Sequence, residues 1–152
     1  MPGNRKEIRL KCYDYSMAGA YHIIICTEKR RNIFRNGTEI NEFGRIAENC
    51  LKYIEEKYEV HVQKYAIMPD HVHLLIDYFY ITKGDGKEQI TRIVGAYKSM
   101  VYTECLKYCK EKGIVLDKLW QRSFYDHIIR NERDYYETYR YIQNNEIELD
   151  LQ

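Results

Sequence analysis

The chain has 152 residues, of which 45% are hydrophobic and 31% charged, a balance typical of one soluble globular domain rather than a membrane-spanning or disordered chain. Its formal net charge of +1 excludes a uniformly basic nucleic-acid-binding protein, although local positive patches could still bind phosphate. Five cysteines without a CxxC pair, and a polar N-terminus without a secretory signal, predict a cytoplasmic protein with no membrane partner.

The first two elements are predicted from their hydrophobic periodicity. Residues 20–28 contain the β-branched run Ile23-Ile24-Ile25 and therefore favour a strand. Residues 38–57 repeat apolar side chains at spacings of three and four, which predicts an amphipathic helix, and Thr38 is a suitable residue to cap it.

A hairpin and a second helix follow. Residues 59–68 and 71–79 both alternate polar and apolar side chains, and the Pro69-Asp70 turn between them predicts that the two strands pair. Gly84-Asp85-Gly86 is the strongest break in the pattern and indicates a loop. The apolar stripe in residues 87–112 then predicts a long helix.

The last elements complete a recognisable order. Residues 124–130 favour a short strand, and residues 132–145 favour a helix with Asn131 and Asp134 as an approximate capping pair. The resulting βαββαβα order predicts an α+β fold in one domain, residues 1–152. We expect a ferredoxin-like or RRM-like antiparallel sheet with helices on one face, plus a C-terminal helix. This fold supports several unrelated activities, so the function must come from a site.

Two histidines provide the first candidate site. In a strand over residues 71–79, His71 and His73 point to the same face with Cβ atoms roughly 7 Å apart, close enough to bind one metal ion. Val72, Leu74 and Ile76 then point to the opposite face and can pack on the helices. A solvated or cross-strand histidine pair would give the same pattern, so the spacing alone leaves both interpretations open.

The last predicted helix carries the second candidate site. Tyr135, Tyr139 and Ile142 share its apolar stripe, whereas Tyr141 lies about 100° away from Ile142. Asn145 follows Tyr141 by four residues, so both side chains project to the same side of the helix. For Tyr141 taken alone, a partly buried packing residue is the favoured interpretation.

A tyrosine beside a metal site suits covalent phosphoryl transfer. A tyrosine hydroxyl is a weak nucleophile at neutral pH, and a divalent cation that polarises a phosphate makes its attack effective. On DNA, the products would be a 5′-phosphotyrosine link and a free 3′-OH. A second 3′-OH could attack that link, so strands could be rejoined without an external energy source, and the sequence contains no P-loop motif.

Local clusters of positive charge provide candidate DNA contacts. One lies in residues 1–11 and another in residues 29–35, and some of the 16 tyrosines could stack on the bases of a single strand. A solvated surface would explain these clusters equally well. Gln121 and Arg122 could contact DNA or cap a loop. The candidate DNA-binding residues are Arg5, Lys6, Arg9, Lys11, Arg30, Arg31, Gln121 and Arg122.

Four other side chains have less distinctive patterns. Trp120 could stack on a base, but a core position is the favoured interpretation. His127 could serve the site or be structural. We interpret His22 and His61 as structural residues.

Taken together, these motifs resemble the single-tyrosine transposases that carry a histidine-hydrophobe-histidine (HUH) motif, and especially the REP-associated tyrosine transposases. The resemblance covers nearly the whole chain. It is carried by the leader Arg9–Ser16, the first strand Tyr21–Thr27, the metal motif Met68–Leu75, the segment Leu119–Asn131 and the nucleophile helix Tyr141–Asn145.

The resemblance implies a role for each site residue. His71, His73 and Asn145 would bind a divalent metal ion, Mg²⁺ or Mn²⁺, and Tyr141 would be the catalytic nucleophile. The partner would be single-stranded DNA that forms hairpins, so the protein would be associated with the nucleoid, as a monomer or a homodimer. Two positions depart from the family pattern: Glu146 stands where proline is usual, and Cys12 where glycine is common.

Three functions follow from these observations. The first is an active transposase that nicks a single strand through Tyr141 and rejoins strands. The second is a domesticated relative that binds hairpins or single-stranded DNA without transposition. The third is an unrelated metal-dependent phosphohydrolase on the same fold, which would not need Tyr141.

Overall fold

The computed structural model describes residues 19–78 and 86–151, so the predicted contacts Arg5, Lys6, Arg9 and Lys11, and most of the predicted Gly84–Gly86 loop, lie outside the described residues. The strands are β1 (Gly19–Cys26), β2 (Arg35–Asn36), β3 (Glu39–Ile40), β4 (Val60–Ile67), β5 (His71–Tyr78) and β6 (Tyr125–Ile128). The helices are α1 (Glu42–Tyr58), α2 (Gly86–Lys112) and α3 (Glu132–Asp150), with a single 3-10 turn at Glu28–Arg30.

Four strands form the main sheet in the order β4-β5-β1-β6, and all neighbouring strands are antiparallel. This order confirms the predicted split βαββαβ, ferredoxin-like arrangement. The predicted hairpin is also present as β4 and β5, with a register shift between Val62 and Lys64. Across the centre of the sheet, His71 lies opposite Cys26 of β1 and His73 lies opposite Ile24.

The two faces of the sheet are covered by different helices. Helices α1 and α2 pack on one face, where their apolar stripes meet buried side chains that include Ile23, Val72 and Leu74. Helix α3 packs on the other face, through Tyr135, Ile142 and Leu149. The predicted helices therefore cover one face, and the C-terminal helix covers the face to which His71 and His73 point. None of the described helices is long and apolar enough to cross a membrane.

The start of α1 differs from the prediction. Thr38 does not cap this helix: it lies in the turn between β2 and β3, next to Gly37 with φ +65°. Asn41 caps α1 instead, because its side chain accepts a hydrogen bond of 3.0 Å from the Gly44 amide. Gly44 also lets the helix approach the preceding chain, since a β-carbon there would clash with the Phe34 carbonyl oxygen.

The end of α3 differs as well. The helix continues to Asp150, five residues beyond the predicted end at residue 145. Leu149 adds buried surface in that last part. Arg35, whose side chain is only 7% exposed, forms ion pairs of 3.5 Å with Glu146 and 3.8 Å with Asp150. Glu146 thus continues the helix at the position where a proline would end it. At the other end Asn131 caps the helix as predicted, because its side chain accepts from the Asp134 amide, while the Asp134 carboxylate accepts from the Arg130 amide instead of the Asn131 amide.

Candidate functional site

Strand β5 brings the two histidines of the HUH motif together. Their Nε2 atoms are 3.2 Å apart, on the face of the sheet that α3 covers. His73 is buried at 2% exposure, whereas the His71 side chain is 17% exposed at the end of the strand. Val72, Leu74 and Ile76 are fully buried on the opposite face, as the alternation predicted.

Asp70 and Arg30 orient the His71 ring. The Nδ1 atom of His71 lies 2.7 Å from Asp70 Oδ1, and Arg30 Nε donates to Asp70 Oδ2 over 3.0 Å. Burial raises the pKa of Asp70, but the hydrogen bonds from His71 and Arg30 outweigh it and hold the pKa below its usual value. An ionised Asp70 accepts the Nδ1 proton of His71, which leaves the lone pair of His71 on Nε2.

His22 has the corresponding role for His73. Its Nε2 atom lies 3.1 Å from His73 Nδ1, and the two rings stack with centroids 5.3 Å apart. Burial, with His71 and His22 nearby, lowers the pKa of His73 to about 3. Burial and the nearby His127 lower the pKa of His22 to about 4. Both rings are therefore neutral near pH 7, and His73 can donate from Nδ1 to His22 while Nε2 keeps its lone pair.

The sequence pattern predicts a structural role for His22, whereas the structure places its ring against that of His73. One signal was available: in β1 it alternates with Ile23 and Ile25, so it must point to the opposite face. His127 lies opposite His22 on β6, and its Nε2 atom is 2.9 Å from Asp134. His22, His71, His73 and His127 thus point to the same face of the sheet, on three neighbouring strands.

Helix α3 places Tyr141 against the histidines. The Tyr141 ring centroid is 5.7 Å from that of His73 and 6.0 Å from that of His22, with near-perpendicular planes. Tyr141 is 53% exposed, while the adjacent Ile142 is fully buried, so the tyrosine lies off the core stripe as predicted. Asn145 is half-buried one turn later, and its amide nitrogen donates to the Tyr141 carbonyl oxygen over 2.8 Å. Its amide oxygen is therefore the atom suited to a metal ion.

The donor atoms fit a divalent cation. Two nitrogen ligands about 2.1 Å from one ion lie about 3 Å apart when the bond angle is near 90°, close to the separation of the two Nε2 atoms. Two lone pairs at this separation repel each other unless a proton or a cation lies between them. Within residues 19–78 and 86–151, no three histidine, cysteine, aspartate or glutamate side chains form a metal-binding group.

Several candidate DNA contacts lie at the same end of the sheet as His71. Arg30 is 51% exposed and its guanidinium reaches 3.4 Å from His71 Nδ1. Arg31 donates to the Lys118 carbonyl oxygen. Gln121 donates from its backbone amide to the Cys26 carbonyl oxygen over 2.9 Å, and Arg122 follows it with an exposed side chain. Two chain segments far apart in sequence thus form one basic end.

Trp120 and Arg35 have structural positions. Trp120 is 6% exposed and donates from its indole nitrogen to the Lys98 carbonyl oxygen over 3.1 Å, which confirms the predicted core position. Arg35 belongs to the basic cluster in residues 29–35, but it is buried and also donates to the Ile67 carbonyl oxygen over 2.7 Å. Its guanidinium group therefore interacts with groups of β4 and α3 inside the molecule.

The chain is similar to two proteins of Haemophilus influenzae. A Haemophilus influenzae protein of uncharacterised function is 28% identical over 161 residues, covering 95% of this chain and 89% of that protein. A second Haemophilus influenzae protein, provisionally named as a REP-associated tyrosine transposase, is 28% identical over 141 residues, covering 88% of this chain and 73% of that one.

Two solved structures share the fold. One is a REP-associated tyrosine transposase bound to a REP hairpin, with a TM-score of 0.63, 16% identity, and coverage of 92% of this chain and 73% of that chain. The other, provisionally named as a transposase from Deinococcus radiodurans R1, has a TM-score of 0.56 at 20% identity and covers 90% and 95% of the two chains. Residues 15–145 match the family described as IS200-like transposases. This match extends over most of the chain and confirms the resemblance found in its motifs: the chain belongs to the IS200-like transposase family.

Proposed function

We propose that this protein is a metal-dependent endonuclease and strand transferase that acts on single-stranded DNA through Tyr141. The observation that carries the proposal is the position of the Tyr141 ring, 5.7 Å from the His73 ring and exposed to solvent. A hydroxyl group at that position can reach a phosphate held by the histidine pair, whereas a packing tyrosine would be buried in the core.

His71, His73 and Asn145 would hold the cation, Mg²⁺ or Mn²⁺. When bound, the cation would polarise the scissile phosphate and stabilise developing negative charge. His22 and Asp70 would keep the Nδ1 protons of the two histidines in place, so that both Nε2 atoms present lone pairs.

Tyr141 would supply the covalent step. Its oxygen forms a bond to phosphorus as the bond from phosphorus to the 3′ oxygen breaks. The tyrosine proton is lost to solvent, and the departing 3′ oxygen takes up a proton to become a free 3′-OH. A second 3′-OH can then attack the phosphotyrosine, which restores a phosphodiester and regenerates the Tyr141 hydroxyl.

Single-stranded DNA that forms hairpins is the proposed substrate. The structural neighbour bound to a REP hairpin supports this class of partner. The basic end formed by Arg30, Arg31 and Arg122 supports it independently, since local positive charge suits a DNA backbone.

A covalent-trapping experiment tests this proposal. The protein would be incubated with a labelled library of single-stranded hairpin oligonucleotides and Mg²⁺ or Mn²⁺, then separated on a denaturing gel. We expect a slow-migrating protein–DNA adduct that disappears with EDTA and in Tyr141→Phe. Tyr139→Phe is the matched control, because it removes a hydroxyl from the same helix, and it should form the adduct normally.

The other outcomes identify the competing functions. An adduct that persists in Tyr141→Phe would show that another residue is the nucleophile. Hairpin binding without any adduct would indicate a domesticated binding protein. Release of nucleotides or free phosphate by Tyr141→Phe would indicate a phosphohydrolase.

A further inference from the structure

A second concave site lies between helix α2 and the segment that precedes β6. It is a cavity of about 430 Å³, within the range of small-ligand pockets. Its wall contains Tyr102 of α2 and the edge of the buried Trp120. These aromatic groups give the cavity an apolar interior.

The cavity has a predominantly cationic rim. Of its nine lining residues, Lys98, Lys118 and Arg122 are basic and Asp117 is acidic, and the Lys118 ammonium also forms a 3.0 Å ion pair with Glu28. The Lys98 ammonium donates to the carbonyl oxygens of Gln121 (2.7 Å) and Arg122 (3.4 Å), so it holds this segment against α2. Burial, and to a lesser extent the nearby Lys118, lowers the pKa of Lys98. An apolar interior with a positive rim suits an aromatic group attached to a phosphate.

The cavity lies on the side of the sheet that α2 covers, at the same end of the sheet as His71. The backbone of Gln121, one of its lining residues, is hydrogen-bonded to Cys26 of β1, and Cys26 lies opposite His71 of β5. Two strand spacings, about 10 Å, therefore separate the Gln121 backbone from the His71 backbone. Arg31 donates to the Lys118 carbonyl oxygen, so its positive charge lies between the cavity and the basic end beside His71.

We propose that this cavity binds one unpaired base of the DNA strand that carries the scissile phosphate, where that strand passes around this end of the sheet, while the neighbouring phosphates contact Arg122 and Lys118. The inference rests on the proposed function, because it takes single-stranded DNA as the ligand. Aromatic side chains beside a cationic groove are the usual means of holding single strands. A base in this cavity would fix the position of the strand relative to Tyr141.

The chain offers a direct probe of the cavity. Trp120 is its only tryptophan and lines the cavity, so its fluorescence reports on occupancy. Two single-stranded probes would be titrated in EDTA, where no strand is cut: an octamer of thymidylate, and an octamer of abasic residues with the same backbone charge. The difference in affinity between them isolates the contribution of the bases from that of the phosphates.

A blocking variant and a matched control test the location. Ser99 lines the cavity and is exposed, so Ser99→Phe fills the cavity without disturbing the core. Thr103, one turn along α2, is also exposed but does not line the cavity, so Thr103→Phe is the control. Thermal unfolding of both variants would verify that they are folded.

We expect the wild-type protein and Thr103→Phe to bind the thymidylate octamer at least about tenfold more tightly than the abasic octamer. In Ser99→Phe this ratio should fall close to one. Arg122→Ala should weaken both octamers in parallel, because it removes a phosphate contact. A ratio unchanged by Ser99→Phe, or an unchanged Trp120 signal in the wild-type titration, would overturn the inference. Since no cleavage is involved, this result is independent of whether the Tyr141 adduct forms.

Discussion

The two faces of the central sheet have different chemistry. Beneath α1 and α2, the sheet presents Ile25, Val72 and Leu74, which are fully buried and apolar. Beneath α3, fully buried Leu75 lies between His73 and Asp77, two polar groups that are each 2% exposed. The comparison teaches that a single β-strand can stabilise the fold with one set of side chains and build the site with the alternate set.

The polar face is energetically costly. A buried polar group destabilises the protein unless it is hydrogen-bonded. His73 has His22 as its partner, and Asp77 Oδ2 accepts from the Tyr135 hydroxyl over 2.7 Å. Asp77 Oδ1 is buried and has no hydrogen-bond partner among residues 19–78 and 86–151. Stability should therefore come mainly from the apolar face.

Leu74 and Leu75 allow the largest test of this comparison, because both are fully buried and they point to opposite faces. We expect Leu74→Ala and Leu75→Ala each to lower the free energy of unfolding by about 2–5 kcal/mol, measured in urea. Only Leu75→Ala creates a cavity beneath α3, so only that variant should form less adduct per folded molecule. Equal adduct yields would contradict a division of roles between the faces.

Asp77 provides a pH-dependent test. Burial raises its pKa to about 7, despite the hydrogen bond from Tyr135. Since the unfolded carboxyl titrates near 4, the folded protein binds the proton more tightly. The contribution of Asp77 to the free energy of unfolding is therefore fully present below about pH 4. About 4 kcal/mol of it is lost as the pH rises to about 7.

Asp77→Asn keeps an acceptor for Tyr135 and removes the titration. In urea unfolding measured from pH 4 to 8, the wild type should lose stability relative to this variant as the pH rises. A constant difference between the two proteins across this range would show that Asp77 has a normal pKa.

His22 allows a smaller test, directed at the metal ion rather than at stability. His22→Ala removes the partner of His73 Nδ1, and we expect Mn²⁺ affinity to fall about 10- to 100-fold in calorimetric titrations. His22→Gln, whose amide oxygen can accept the same hydrogen bond, should recover part of the loss. His61→Ala is the control, because His61 is exposed and pairs with Glu55. An unaltered Mn²⁺ affinity in His22→Ala would show that His22 does not support metal binding by His73.

Glu146 gives the smallest expected effect. Its ion pair with Arg35 is 3.5 Å long and the Glu146 side chain is 37% exposed, so Glu146→Gln should cost at most about 1 kcal/mol of unfolding free energy. Glu148→Gln, at an exposed position of the same helix, provides the reference. A loss well above that value would mean that this pair holds α3 on the sheet more firmly than its exposure indicates.

The sequence was sufficient wherever local periodicity decides the structure. Alternation placed His71 and His73 on one face of β5, and the helical stripe separated Tyr141 from the core. Local pattern could not separate Thr38 from Asn41 as the cap of α1, because the choice depends on the β2–β3 hairpin. His22 reaches His73 only through the pairing of β1 with β5, a contact between residues 51 positions apart. Such long-range partners are not encoded in any short segment.

The hydrogen bond from the Asn145 amide to the Tyr141 carbonyl oxygen has a mechanical consequence. It joins the candidate nucleophile and the candidate third ligand within one helical turn, while the two histidines belong to the rigid sheet. Any shift of α3 would therefore move Tyr141 and Asn145 together, as parts of one rigid helix. The packing of Ile142 and Leu149 against the sheet therefore determines the distance between Tyr141 and the histidine pair, where a phosphate would be held.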